Sequence, residues 1–294
     1  MTLRQFYILF FFLLVFSNDS YELKYFKYVI NDDLIHHIEE SAPDEIFLQH
    51  QDSLNAYFGN LEITLLQKHK ENHDNIQTPE DFQQFFRNAI TLRSSMHQKL
   101  QRRAEYFKVE KGVTELPDAS WFNEVAVGME VKLVNKLNYR VIFDYNDFME
   151  KARNTEGKAD DEYMILMMDS FDPETNFPAW LKMTPDGKVC SVLGSGVHTE
   201  LLLQMNKALA EGDIFYQEVN KVKKQIINDI VFSTAYYKDY KKALSEMERI
   251  KNEVELDEND TELILTRLNN FKQPNFKKDV TFSLERSQPV AQVR

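Results

Sequence analysis

The chain has 294 residues, of which 43% are apolar and 13% aromatic, enough to bury a sizeable core and to exclude global disorder. Its 35 Lys and Arg against 47 Asp and Glu leave a net charge of −12, which argues against nucleic acid as a partner, because neutralising phosphates takes Lys and Arg. Cys190 is the only cysteine, which excludes an internal disulfide and leaves stability to packing.

In chain order the first feature is an apolar run, Phe6–Phe16, behind Arg4 and ahead of the polar Ser17-Asn18-Asp19-Ser20. The run is too short for a membrane-spanning helix, which needs roughly 20 apolar residues, and suits the middle of a cleavable signal peptide. Residues 1–20 are therefore expected to be a signal peptide, and the protein to be exported to a periplasm, the medium or a secretory lumen. The alternative is a protein anchored by an uncleaved N-terminal segment, its sole expected membrane contact.

Residues 21–114 read as helical. Gln49–Asn72 is rich in helix formers, with Leu54, Tyr57 or Phe58, Leu61 and Leu65 on one face. The next helix has a marked start: Thr78 can cap, Pro79 fits the first helical position, and Glu80 and Asp81 suit the positive helix end. Behind it Phe82, Phe85, Phe86, Ala89, Ile90, Leu92, Met96 and Leu100 form an apolar stripe that predicts a helix to about Gly112.

Residues 115–212 change period. Tyr139–Phe143 reads as a strand, Asp147–Asn154 as a helix, and Tyr163–Met168 as a strand buried on both faces. Ala179–Met183 and Lys188–Leu193 then flank Thr184-Pro185-Asp186-Gly187, a hairpin turn in which Gly187 supplies a positive φ. Thr199 caps a helix to Leu209.

Residues 213–273 are helical again. Phe215, Val219, Val222, Ile226, Ile230, Tyr237, Tyr240, Leu244, Met247 and Val254 keep a near-heptad step, with Ser233-Thr234 as the weak point, and an acidic turn at Asp257–Glu262 leads into a last helix, Glu262–Asn270. Residues 274–294 lack periodicity and are expected to be a flexible tail.

The middle region resembles the thioredoxin-like fold over residues 120–211. In that family a proline with a cis peptide bond precedes the fourth strand, a turn such as Asp-Gly joins the last two strands, and a glycine closes the fifth. Pro178, Asp186, Gly187 and Gly194 stand at the matching places, and the resemblance implies a preceding helix over Trp121–Leu137. Redox members carry Cys-x-x-Cys after the second strand, where a thiolate attacks and a second thiol resolves the mixed disulfide. This chain has Asp144-Tyr145-Asn146-Asp147 there, so the resemblance implies a redox-inactive binding or chaperone-like module.

Few other motifs carry chemistry. His69 and His73, four apart on one helix face, are the candidate metal pair, although Lys70 replaces the Glu of a zincin motif. His36 and His37 read as surface residues. Asp257-x-Asn259-x-Thr261 begins like a calcium loop, but Glu262 replaces the required Gly and Leu268 the bidentate Glu. Asp169, Asp172 and Glu174 read as a turn. Ser195 and His198 lack the Gly-x-Ser-x-Gly frame of a nucleophile elbow. No catalytic residue is assigned, and no phosphate loop or dinucleotide fingerprint calls for a cofactor.

The sequence thus predicts an α+β, predominantly helical chain with a small thioredoxin-like α/β sheet domain flanked by helical segments. The expected function is an exported non-catalytic binding or chaperone-like protein with a protein partner. The alternatives are a hydrolase or metal-dependent enzyme, and a structural protein self-associating through residues 213–254.

Overall fold

The computed structural model describes residues 44–276 and 280–282. The fold is α+β and predominantly helical, as expected. Its described residues fall into two compact units, 44–75 with 84–143, and 76–83 with 144–276 and 280–282. Residues 1–20, His36, His37 and the end of the tail lie outside the described residues.

In the first unit, α1 (Glu45–Gln49), α2 (Gln51–Tyr57) and α3 (Asn60–Asp74) replace the single helix expected over Gln49–Asn72. Phe58 and Gly59 are extended and break it, and the Glu62 carboxylate accepts the Gly59 N–H at 2.9 Å to start α3 afresh. The restart rephases the apolar face: Leu61 is exposed, and Leu66, His69 and His73 turn inward. Helix α4 (Pro79–Lys111) begins as its sequence dictates, with the Asp81 N–H donating to Thr78 Oγ1 at 3.1 Å and the Thr78 N–H to Asp81 at 3.0 Å. It ends at Gly112, φ +63°. Its stripe is buried at Phe85, Phe86, Ala89, Leu92, Met96 and Leu100, each large side chain contributing about 1.5–3 kcal/mol of transfer free energy.

A short α5 (Phe122–Val125) leads into β1 (Met129–Val134) and β2 (Asn138–Phe143), an antiparallel hairpin. The helix expected over Trp121–Leu137 is thus only the short α5, followed by a turn and strand β1. Asn135 and Lys136 both adopt positive φ, which gives the connection the handedness that matches strand twist. A Lys in the second of those positions hides the turn from a sequence reading.

The second unit holds the first residues of α4, to Gln83, and then α6 (Tyr145–Arg153), capped by Asp144, and α7 (Ala159–Ser170). The strand expected at Tyr163–Met168 is therefore helix. A six-residue apolar run has no period that separates strand from buried helix, and Met and Leu favour helix while Ile165 is its one β-branched residue. Helix α7 packs against both α6 and α8, which is why it is apolar on more than one side. Next come β3 (Leu181–Met183) and β4 (Val189–Ser191), joined by the Asp186-Gly187 turn as expected, with Gly187 at φ +79°. The Lys188 ammonium and the Thr184 hydroxyl hold the exposed Asp186 carboxyl down at about 2.

After β4, α8 (Val197–Ala210) packs against α7, α9 (Tyr216–Phe232) and α10 (Tyr240–Glu253). The long helix expected from 213 to 254 breaks at Ser233-Thr234 and is interrupted by β5 (Ala235–Tyr236), with Asp239 capping α10. Helix α11 (Glu258–Phe271) begins on the Asp257 cap, four residues earlier than expected, and Lys223 pairs with Asp257 and Asp260. Part of the expected tail is ordered in the fold: β6 (Thr281–Phe282) pairs parallel with β5, and the Phe282 ring stacks on Tyr236 at 5.3 Å.

The markers of the thioredoxin resemblance do not assemble as expected. Strand β2 pairs with β1, whereas β3 and β4 belong to a different sheet of order β3-β4-β5-β6. The unit boundary at Phe143 cuts through residues 115–212. No described peptide bond is cis, that before Pro178 included, and Gly194 lies in the turn from β4 to α8.

Candidate functional site

The densest cluster of chemically capable side chains lies inside the second unit, where β4, α8, α9 and α10 meet. Ser191 ends β4, His198 and Thr199 open α8, Asp229 sits in the last turn of α9, and Glu246 is central in α10. All five are buried, His198 and Thr199 completely. Burial of this kind is costly unless the polar groups are bonded, and the bonding is extensive, with His198 Nδ1 the group of the cluster left without a hydrogen bond.

Asp229 is the hub. Its Oδ2 accepts the Ser191 hydroxyl at 2.5 Å and His198 Nε2–H at 2.8 Å, and its Oδ1 accepts the Ser233 hydroxyl at 2.6 Å. Because a carboxylate is the acceptor, the imidazole proton on Nε2 is fixed there. His198 Nδ1 faces Glu246 Oε1 at 3.9 Å. Beyond Ser233, its carbonyl accepts from Arg267 and from the Tyr236 hydroxyl at 2.7 Å, and burial raises the Tyr236 phenol to about 12.

Glu246 does something different: it occupies the N-terminus of α8. Its Oε2 accepts the backbone N–H groups of Gly194 and, at 2.9 Å, Gly196, and its Oε1 accepts the Thr199 N–H at 3.2 Å. A carboxylate from another helix therefore satisfies the unpaired donors and the positive dipole end, where Thr199 was expected to cap. Gly194 makes the approach possible. It sits at φ +100°, and a Cβ there would stand 2.7 Å from the Ala243 nitrogen of α10. With Glu246 seated in it, the Gly194-Ser195-Gly196 turn is an internally neutralised helix start and has no vacant anion cradle.

The bonding order decides the chemistry. A serine nucleophile is activated when its hydroxyl hydrogen points to a base. Here the Ser191 hydrogen goes to Asp229, His198 bonds the same carboxylate oxygen, and no Ser–His bond exists. Ser195 is exposed on the turn, and its Oγ accepts the Val197 N–H at 3.5 Å. The arrangement clamps four elements together rather than delivering a nucleophile to a substrate.

His69 and His73 lie on one face of α3, as their spacing predicts, but in the first unit, where both rings meet Phe85. His69 stacks on it at 4.6 Å and its Nε2–H donates to the Val127 carbonyl at 2.9 Å, so that nitrogen offers no lone pair to a metal. His73 Nδ1 meets Asp74 Oδ1 at 3.2 Å. Among the described residues no group of three or more His, Cys, Asp or Glu side chains is placed to hold a metal ion. Asp172 closes its own turn through the Glu174 and Thr175 N–H groups, at 3.1 and 2.7 Å, and Cys190 is buried on β4.

Sequence reasoning singled out His198 but missed Asp229 and Glu246. A signal for both exists: each is a carboxylate on the apolar face of its helix, Asp229 between Ile226 and Ile230, and Glu246 between Ala243 and Ile250.

The fold and the cluster together define an α+β, predominantly helical protein with an internal carboxylate–imidazole clamp. No protein-family model, no curated protein and no solved structure matches this chain. Among the described residues no helix is long and apolar enough to cross a membrane.

Proposed function

We propose that this chain is an exported, non-catalytic protein that acts by binding another protein, in the manner of a chaperone-like module. The observation that carries this reading is the bonding order at Asp229. The side chains a hydrolase would use are consumed in joining β4, α8, α9 and α10. The metal-dependent alternative rests on His69 and His73, whose rings are packed on Phe85. Self-association through residues 213–254 loses its seam, because Val219, Val222, Ile226 and Ile230 are buried within the second unit. Export rests on the Phe6–Phe16 run alone. A thioredoxin-like sheet forms no part of the proposal, since its second expected strand is α7.

The test has three parts. The purified chain, mixed at equimolar ratio with a thermally unfolding client enzyme, is expected to suppress light scattering. Ester, peptide and phosphoester substrates are expected to show no turnover above that of a His198→Gln variant. N-terminal sequencing of protein from its native source is expected to begin between Ser17 and Tyr21. Turnover abolished by His198→Gln refutes the non-catalytic reading. Unchanged scattering, together with no co-purifying protein, refutes the binding reading.

A further inference from the structure

In the first unit, residues of α1, α2 and α3 line a groove of about 230 Å³. The buried Phe47 and Leu54 form its apolar floor, and the exposed Leu48 stands at its rim. The rest of the described lining is Ile63 and a set of amides and one hydroxyl, Thr64 and Gln67 among them. In a chain that is 28% charged, a described lining without one charge selects for an uncharged, apolar occupant. The groove is smaller than the about 300–1,000 Å³ of small-molecule sites, so it suits a few side chains of a polypeptide.

The chain enters this unit at one end of the groove. Asp44, where the described residues begin, is held by Lys70 of α3 at 2.9 Å, and its Oδ1 accepts the Ile46 N–H at 2.8 Å. Lys70 is three residues beyond the groove-lining Gln67 on α3, a neighbour about 5–6 Å away on the helix surface. The 43 residues that precede Asp44 therefore lead away from a fixed point beside the groove. Ile38 stands six residues before Asp44, with Ile35 and Leu34 three and four residues before Ile38. That spacing in the sequence is the spacing of one helical face, and Asp, Glu and His fill the positions between and around it. Fully extended, the stretch from Ile38 to Asp44 reaches about 20 Å, whereas α3 from Asn60 to Lys70 measures only about 15 Å. Every part of the groove is within its reach.

We infer that Leu34, Ile35 and Ile38 of this same chain dock in the groove, with Glu39–Pro43 as the strap that joins them to Asp44. A tether this short gives the segment a local concentration in the millimolar range, which a free partner does not match. Tyr25–Ile30, the neighbouring apolar stretch, ends 14 residues before Asp44, and the longer tether lowers its local concentration about three- to fourfold. The inference goes beyond the binding reading and does not depend on it, since residues 34–38 stay in the chain whether or not residues 1–20 are removed. A seated segment closes the groove to any other partner.

The experiment is mild oxidation of the full chain carrying Ile38→Cys/Thr64→Cys, compared with Ile38→Cys/Lys68→Cys and with Ile38→Cys alone. Thr64 lines the groove, whereas Lys68 is exposed on the same helix, nearer the Asp44 anchor but off the groove. A freely swinging segment reaches Lys68 at least as readily as Thr64, so only docking favours the first pair. The single variant reports any pairing with Cys190, which is buried on β4. The expected result is an intramolecular disulfide that forms at least about tenfold faster in the first pair than in the second. Hydrogen exchange gives a second readout without added cysteines. In a Leu34→Asp/Ile35→Asp variant, which puts charge into the uncharged groove, amides of residues 47–55 should exchange about fivefold faster or more, with those of α4 unchanged. Circular dichroism confirms that each variant folds. Equal cross-linking of the two pairs, unchanged exchange in residues 47–55, or protection lost along α4 instead overturns the inference. A cross-link between chains also overturns it and gives the groove to a second copy. Protection of the groove that appears only when an unfolding client enzyme is added overturns it as well, and leaves the binding reading intact.

Discussion

Gly194→Ala tests the physical account of the second unit most directly. The residue sits at φ +100°, a conformation that costs an L-residue about 1–2 kcal/mol. Its added methyl would stand 2.7 Å from the Ala243 nitrogen and 2.9 Å from the Lys242 carbonyl carbon, both main-chain atoms of α10 that cannot rotate aside. Relief requires α10 to move off the turn, which breaks the Gly194 N–H bond to Glu246, a charge-assisted bond worth about 1.5–3 kcal/mol. The sum is a destabilisation of about 2.5–5 kcal/mol. Gly187→Ala is the control, because it has the same sign of φ, +79°, but nothing within 4 Å of its Cβ. It should cost only the conformational strain, about 1–2 kcal/mol. Urea unfolding followed by tryptophan fluorescence measures both. In a Trp121→Phe background the remaining tryptophan is Trp180, 3% exposed and in the second unit. A difference of less than about 1 kcal/mol between the two variants would refute the close-approach argument.

Two further outcomes follow from the clamp and from α7. Ser191→Ala should cost about 1–2 kcal/mol, whereas Asp229→Ala should cost about 3–5 kcal/mol because it strands His198 Nε2–H and two hydroxyls in the core. The reverse order in urea midpoints would remove Asp229 from the centre of the network. Asp160 is fully buried at the start of α7, and burial raises its carboxyl above the ordinary 3.8, against the Thr155 hydroxyl bond at 2.6 Å that lowers it. A raised carboxyl contributes stability that is complete below the unfolded value and is lost as pH rises through the folded one. The advantage of Asp160→Asn over the wild type should therefore grow with pH above 3.8 and vanish below it. A pH-independent difference in melting temperature would contradict that sign.

Local signals read best from the sequence. The Thr78-Pro79-Glu80-Asp81 start of α4, the Asp186-Gly187 turn and the break at Ser233-Thr234 depend on a few adjacent residues, and each falls where its side chains place it. The six-residue run Tyr163–Met168 was illegible, because an unbroken apolar run carries no period that distinguishes strand from helix, although Met168 itself is exposed. The β1–β2 hairpin was hidden by Lys136 at a positive-φ position usually filled by Gly.

By itself, then, the sequence determined that this is an acidic, disulfide-free, largely helical chain with named helix starts and turns. Those properties are sums over composition or results of neighbouring residues. Only the tertiary structure decided that β2 and β3–β4 belong to different sheets, and that His198 faces Asp229 and Glu246, 31 and 48 residues along the chain. Such pairings depend on how four elements pack, and spacing within any one element carries no record of which partner it will meet.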